Sequence, residues 1–256
     1  MAPVQVPGDD FDALVLLPGS LLEPSDELLR RLGASRRVIA LTYPDATRMT
    51  DLTDVIAGQL AAAGIQRAAV LGSSYGGWVA QCLARRHPDL VRRLLLVHTF
   101  ALEAGTAWRF RLAENVWKLL PGPLLRGLLM TRVRRLLRPL ESTSPDEYQR
   151  ALARVGERSR APETVAALLH QTACMLDSLT SFSTEPGDLA RLDGRILIIE
   201  SDDDPAIRPP ERAHLRAMYP GAEVRTFHGT GHITALVQPD EFVGAVNGFL
   251  ETAGPA

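Results

Sequence analysis

The stretch Ala68-Ala69-Val70-Leu71-Gly72-Ser73-Ser74-Tyr75-Gly76-Gly77-Trp78-Val79 decides how the rest of the chain is read. Four apolar residues of strand type run into Gly-x-Ser-x-Gly at 72–76. Beyond it, Trp78, Val79, Cys82 and Leu83 recur at helical spacing. A serine between such a strand and such a helix is forced onto a sharp turn, with its hydroxyl clear of the sheet edge. The flanking glycines are needed because strand packs against helix with no room for a Cβ. Gly77 keeps the start of the helix open. Gly and Ser are common in turns, so it is the placement of the motif that carries the signal.

Outward from this point, strand-like and helix-like segments alternate. Residues 13–17 and 37–42 read as short strands, ending in Pro18-Gly19-Ser20 and Tyr43-Pro44. Residues 53–63 read as a helix closed by Gly64, and 74–87 as a helix stopped by Pro88. Further strands are expected at 94–97, 195–199 and 224–227, and Phe242, Val243, Val246, Phe249 and Leu250 form one face of a last helix. The alternation predicts an α/β fold with a mostly parallel sheet and flanking crossover helices. Residues 102–186 have helical periodicity and no strand, with breakers at Pro121-Gly122-Pro123, Pro139, Pro145 and Pro162. They read as a helical lid inserted after the fourth strand, dividing the core into 1–101 and 187–256.

The bulk composition bounds the partners. The chain has 256 residues, enough for one large α/β domain, and a formal net charge of −2, which predicts neither nucleic acid nor a membrane as partner. Cys82 and Cys174 form no disulfide framework and no metal spacing, so no metal is expected. The first ten residues lack a basic region followed by an apolar stretch, and no apolar run is long enough to span a bilayer. The expectation is a cytoplasmic protein without an integral membrane segment. Charge is unevenly shared, with 12 basic residues against 6 acidic ones in 103–160. That surplus reads as a solvated helix face, as an arginine-rich surface for an anionic substrate or acidic acyl carrier, or as a basic amphipathic surface on a membrane.

A serine hydroxyl is a poor nucleophile until a base takes its proton, and the base needs a carboxylate to fix its tautomer. Candidates for all three follow strands in the order Ser…Asp…His. Ser74 is the nucleophile. Asp204, in Ser201-Asp202-Asp203-Asp204-Pro205, is the favoured acid because Pro205 rigidifies its turn; Asp202 and Asp203 compete, or are simply solvated. His232, between glycines in Gly229-Thr230-Gly231-His232, is the base, with His228 assigned to the strand end. The oxyanion would be held by two backbone N–H groups, that of Tyr75 and that of Ser20, with Leu21 as the alternative. His98 ends the strand at 94–97, where it either hydrogen-bonds substrate or is satisfied by its surroundings. Leu21, Trp108, Arg109 and Trp117 are further candidates for substrate contact, and no cofactor is implied.

These pieces resemble the α/β-hydrolase superfamily: Pro18-Gly19-Ser20, Gly72-Ser73-Ser74-Tyr75-Gly76-Gly77, Asp204-Pro205 and Gly229-Thr230-Gly231-His232. The resemblance spans almost the whole chain. Two features depart from it. Pro18 stands where the superfamily often has a histidine, and only about ten residues precede Phe11, so the two antiparallel strands that open the superfamily fold look trimmed to one short strand or none. Within the superfamily, Arg37-Val38-Ile39-Ala40-Leu41-Thr42-Tyr43-Pro44, Ala80-Gln81 and Met218-Tyr219-Pro220-Gly221 are similar to the maspardin subgroup, which is linked to protein association. Unlike that subgroup, this chain has a histidine at the base position.

Three functions compete. The first is a serine hydrolase cleaving an ester or thioester of a small or acyl-type substrate through an acyl-enzyme. The second uses the same triad for elimination, cyclisation or acyl transfer in secondary metabolism, with Arg109, Arg111 or another arginine of the insertion holding a substrate carboxylate. The third is a binding or adaptor protein acting through the surface of the insertion. The partner expected is a small molecule, anionic or carrier-bound, and the insertion also offers a surface for a homodimer.

Overall fold

The computed structural model describes residues 13–183 and 185–252. Six strands are present, β1 (Leu14–Leu17), β2 (Val38–Ala40), β3 (Ala68–Ser73), β4 (Val91–Val97), β5 (Ile196–Ser201) and β6 (Glu223–Phe227). They pair in parallel throughout, in the order β2-β1-β3-β4-β5-β6. The helices are α1 (Asp26–Leu32), α2 (Met49–Ala62), α3 (Tyr75–Arg86), α4 (Ala107–Leu119), α5 (Gly122–Thr143), α6 (Pro145–Arg158), α7 (Pro162–Ser181), α8 (Pro209–Met218), α9 (Thr234–Val237) and α10 (Pro239–Glu251). Among the described residues no helix is long and apolar enough to cross a membrane. The expectation of one short strand or none ahead of Phe11 lies outside the described residues.

A parallel sheet must be covered on both faces, and the central strands are apolar at successive positions for that reason. Val15, Leu17, Val70, Leu94, Leu96 and Ile198 pack under α2, α3 and α8. Leu14, Leu16, Leu71, Leu95, Leu197 and Ile199 pack under α1 and α10. The third cluster joins α5 and α6, through Val133, Leu137, Tyr148 and Val155, to Ile233 beside the base candidate. Leu21 and Leu22, from the loop after β1, pack against the same cluster. α5 and α6 therefore rest on the two loops that the sequence assigns to the site.

Two expectations need correction. Pro139 is not a break: α5 runs through it from Gly122 to Thr143. Its carbonyl accepts a hydrogen bond from Thr143 Oγ1 at 2.9 Å, and its ring packs on Gly231. The second helix begins at Met49 rather than 53, because Asp177 of α7 reaches across and accepts from Met49 N at 2.8 Å. That cap comes from 128 residues away and leaves no local signature.

Candidate active site

Ser74 stands between β3 and α3 with φ 53° and ψ −116°, a backbone conformation that non-glycine residues rarely adopt. The surrounding glycines are fixed by close contact. A Cβ on Gly72 would lie 2.2 Å from Gly76 O, and one on Gly76 only 1.9 Å from Leu17 O. A Cβ on Gly77 would meet Thr99 at 2.6 Å, and this contact, rather than an open helix start, is the reason for the glycine there. Thr99 Oγ1 in turn donates to Ser74 O at 2.9 Å. Close packing at the three glycines, against backbone at Gly72 and Gly76 and against the Thr99 side chain at Gly77, holds the serine in its strained turn.

The turn sits where the sheet order reverses. β1 has β2 on one side and β3 on the other, and the crevice beyond the carboxyl ends of such strands is where open α/β sheets bind ligands. The loop after β1 brings Gly19 so close that a Cβ there would be 3.3 Å from Ser74 Cβ. Tyr43 Oη donates to Pro18 O at 2.7 Å and pins that loop. Burial pushes the Tyr43 phenol well up, so it stays a donor. Tyr75 opens α3, so its N–H is one of the first four with no acceptor inside the helix.

The acid and base candidates meet across two loops. His232 Nδ1 lies 2.8 Å from Asp204 Oδ2 and 3.0 Å from Oδ1. Asp204 Oδ1 also accepts the backbone N–H groups of Ala206 at 2.7 Å and Ile207 at 3.1 Å. Burial alone would raise the Asp204 pKa, but the hydrogen bonds from His232 and His98 outweigh it and hold the carboxyl below its usual range. The competing acids are occupied elsewhere. Asp202 pairs with His228 at 2.7 Å. Asp203, expected as a solvated bystander, accepts from Ser201 Oγ at 2.6 Å and from Gly231 N at 2.9 Å, and so holds the loop of His232.

Ser74 and His232 face one cavity of about 190 Å³, walled by Ser20, Leu21, Trp117, Leu129, Arg132 and Leu136 among others. Among the described residues no hydrogen bond joins Ser74 Oγ to His232, whose Nε2 has no partner there; such bonds often tighten only with substrate in place. The wall is mostly apolar, with Leu28, Leu168 and Phe242 deeper in.

Three expected substrate contacts are corrected. His98 borders the cavity, but its Nδ1 is taken by Asp204 at 3.0 Å and its Nε2 by Thr234 Oγ1 at 2.8 Å. Trp108 is 65% exposed and forms no part of the cavity wall. Arg109 is ion-paired with Glu211, which also holds Arg208 at 3.0 Å, so it ties α4 to α8 instead of facing a ligand. The cation on the cavity wall is Arg132, a residue the sequence does not distinguish from its neighbours in α5. No carboxylate among the described residues pairs with it. Neighbouring protein displaces part of its water and lowers its pKa, and the Arg109 charge adds to this.

His98, Asp204 and His232 bring three donor atoms within 4.8 Å of one another, the spacing of a metal site. Here those atoms satisfy each other: both Nδ1 atoms are directed at the one carboxylate. The donor set has the chemistry of a hydrogen-bonded aspartate flanked by two imidazoles.

The 2-hydroxymuconate semialdehyde hydrolase of Pseudomonas putida is 28% identical, over 96% of this chain and 89% of that protein. Among solved structures, MGS-M2, an alpha/beta hydrolase enzyme from a Medee basin deep-sea metagenome library, superposes with a TM-score of 0.74 at 16% identity, covering 98% of this chain and 94% of that one. The 2-hydroxy-6-oxo-6-phenylhexa-2,4-dienoate hydrolase of Rhodococcus sp. strain RHA1 gives 0.68 at 18% identity, covering 96% and 92%. The profile of the alpha/beta hydrolase family matches residues 14–245. The chain belongs to the alpha/beta hydrolase family and is a hydrolase of that fold.

Proposed function

We propose that the protein is a serine hydrolase that cleaves an ester or thioester of a small, carboxylate-bearing acyl substrate. The observation that carries this reading is the convergence of Ser74, on its strained turn, and His232, held by Asp204, on one cavity. Ser74 Oγ attacks the acyl carbon as its proton passes to His232 Nε2, and Asp204 accepts the Nδ1–H of the imidazolium that forms. The Tyr75 and Ser20 N–H groups hold the oxyanion. Collapse of the tetrahedral intermediate expels the alcohol or thiol, which takes the proton from His232. Water, deprotonated by the same histidine, then releases the acid. The helices α4–α7 act as the lid over this cavity.

Arg132 supports the carboxylate. A guanidinium with no carboxylate partner among the described residues, on a mostly apolar wall whose one carboxylate, Glu23, is paired with Arg158, matches a substrate carboxylate bidentately. The Pseudomonas putida relative is named for 2-hydroxymuconate semialdehyde, a compound that carries a carboxylate. Intact-mass analysis after a fluorophosphonate probe tests the nucleophile: one adduct on the wild type, none on Ser74→Ala or His232→Ala, is expected. Activity on paired acyl esters, with and without a terminal carboxylate, tests the substrate class. Arg132→Gln should raise KM for the carboxylate esters about tenfold or more and leave the neutral ones nearly unchanged. Equal losses on both series would remove Arg132 from substrate recognition.

A further inference from the structure

Asp204 serves two histidines, and only one of them belongs to the triad. At the end of β4 the backbone of His98 turns to φ 47°. This places the ring behind the carboxylate, with the side chain 2% exposed. Its Nδ1 is 3.0 Å from Asp204 Oδ2, and its Nε2 is 2.8 Å from Thr234 Oγ1 and accepts Thr234 N–H at 3.4 Å. A backbone N–H can only donate and a carboxylate only accept, so both ends place the proton on Nδ1, directed at Asp204.

The connection continues through buried hydroxyls. Thr234 Oγ1 is 2.7 Å from Thr230 Oγ1, and Thr230 Oγ1 is 3.0 Å from Ser201 Oγ. Ser201 Oγ donates to Asp203, which accepts the N–H of Gly231, the residue before His232. The path that leaves Asp204 through His98 thus returns to the loop that bears His232. The charged and titratable groups facing His98 are Asp204, Asp203 and His232. Burial lowers its pKa; the Asp204 hydrogen bond opposes this, and His232 adds to it.

We propose that His98 is a positioning residue for the triad: a neutral second imidazole that fixes Asp204 Oδ2 and, through Thr234, the loop of His232. The proposal rests on the triad reading above. It has two consequences. Without the His98 donor, Asp204 Oδ2 is left to His232 alone while Oδ1 stays held by Ala206 N and Ile207 N, so the carboxylate can tilt and His232 loses part of its aim at Ser74. The carboxylate also keeps more of its charge facing the imidazolium that forms during the reaction.

The test is the rate of fluorophosphonate labelling of Ser74, followed by intact mass from about pH 5 to about pH 9. It uses folded wild type, Ser74→Ala, His98→Gly, His98→Asn and Thr234→Val. Glycine removes the ring at a positive φ without strain. Asparagine tolerates that φ and returns a donor to Asp204. His98→Gly is expected to slow labelling about tenfold or more and to move the acid limb to higher pH. His98→Asn should stay within about threefold of wild type with the limb in place, and Thr234→Val should follow His98→Gly by a smaller amount. His98→Gly at the wild-type rate and profile overturns the proposal, as does His98→Asn as slow as His98→Gly. If His98→Gly does not fold, Thr234→Val indistinguishable from wild type overturns it. No adduct on folded wild type overturns the triad reading and this proposal together, whereas a labelled wild type with unaffected variants overturns this one alone.

Discussion

At the scale of single residues, the site depends on what cannot be added as much as on what is present. Gly76 is the clearest case, since a Cβ would sit 1.9 Å from Leu17 O and 2.7 Å from Pro18 O. Backbone atoms cannot yield cheaply, so Gly76→Ala should cost at least about 3 kcal/mol and lower Tm by about 6–12 °C in thermal unfolding. Tyr43 acts through its hydroxyl on Pro18. Tyr43→Phe should cost only about 1 kcal/mol of stability, yet slow labelling of Ser74 about tenfold, because the loop bearing the Ser20 N–H loses its anchor. A labelling rate equal to that of wild type would show that the loop holds itself. Ser74, Asp204 and His232 stand out as candidates in the local sequence because each lies in a turn of distinctive composition that follows a strand. The partners of Tyr43 and His98 could not be read there, because they lie 25 and 106 residues away. Arg109 and Arg132 could not be told apart either; Glu211, 102 residues from Arg109, takes one of them, and no local pattern records it.

At the scale of elements, most strands and helices follow from apolar periodicity, and the departures have tertiary causes. α2 starts four residues earlier than its pattern suggests because Asp177 of α7 caps Met49 N. Asp177→Ala should cost about 1 kcal/mol, lower Tm by about 2–4 °C and speed hydrogen exchange at Met49, with Asp177→Asn recovering most of the loss. Unchanged exchange at Met49 would mean that water caps the helix equally well. α7 is fixed to the core again where Trp78 Nε1 donates to Ser178 Oγ at 2.7 Å in a buried setting. In α5, Pro139 gives up a backbone donor but packs its ring on Gly231, which has φ 56°. A proline in a sequence warns of a break; here the facing glycine loop makes its ring useful and the helix continues. The residues that carry the maspardin-like resemblance have structural partners of their own: Tyr219 Oη donates to Gln81 Oε1 at 2.8 Å.

At the scale of the whole molecule, buried titratable groups set how stability responds to pH. His98 has a folded pKa below the unfolded value of about 6.5, so the unfolded chain binds that proton first. Its contribution is complete above that value and is lost as pH falls toward the folded pKa. Asp204 also has a lowered pKa, so its contribution is present above the unfolded value of about 3.9 and is lost as pH falls through the folded one. Both losses run in the same direction on acidification but in separate windows. Urea unfolding at a series of pH values should therefore show stability declining from about pH 6.5 downward in the wild type. In His98→Asn the decline should begin only at about pH 4 to 5, where carboxylates titrate. An identical early decline in the variant would assign it to other histidines.

Local sequence is enough for the class of fold, the strand–turn–helix that carries Ser74, and the order in which serine, acid and base candidates follow strands. These are local consequences of apolar periodicity and of turns that only glycine can make. Tertiary structure alone decided that Asp204 is shared between His98 and His232, that Asp203 braces the loop of His232, and that Arg132 rather than Arg109 faces the cavity. Each of those outcomes depends on which groups a parallel sheet and its covering helices bring together from distant parts of the chain. A hydrogen bond or an ion pair acts over about 3 Å in space, whatever the separation along the sequence.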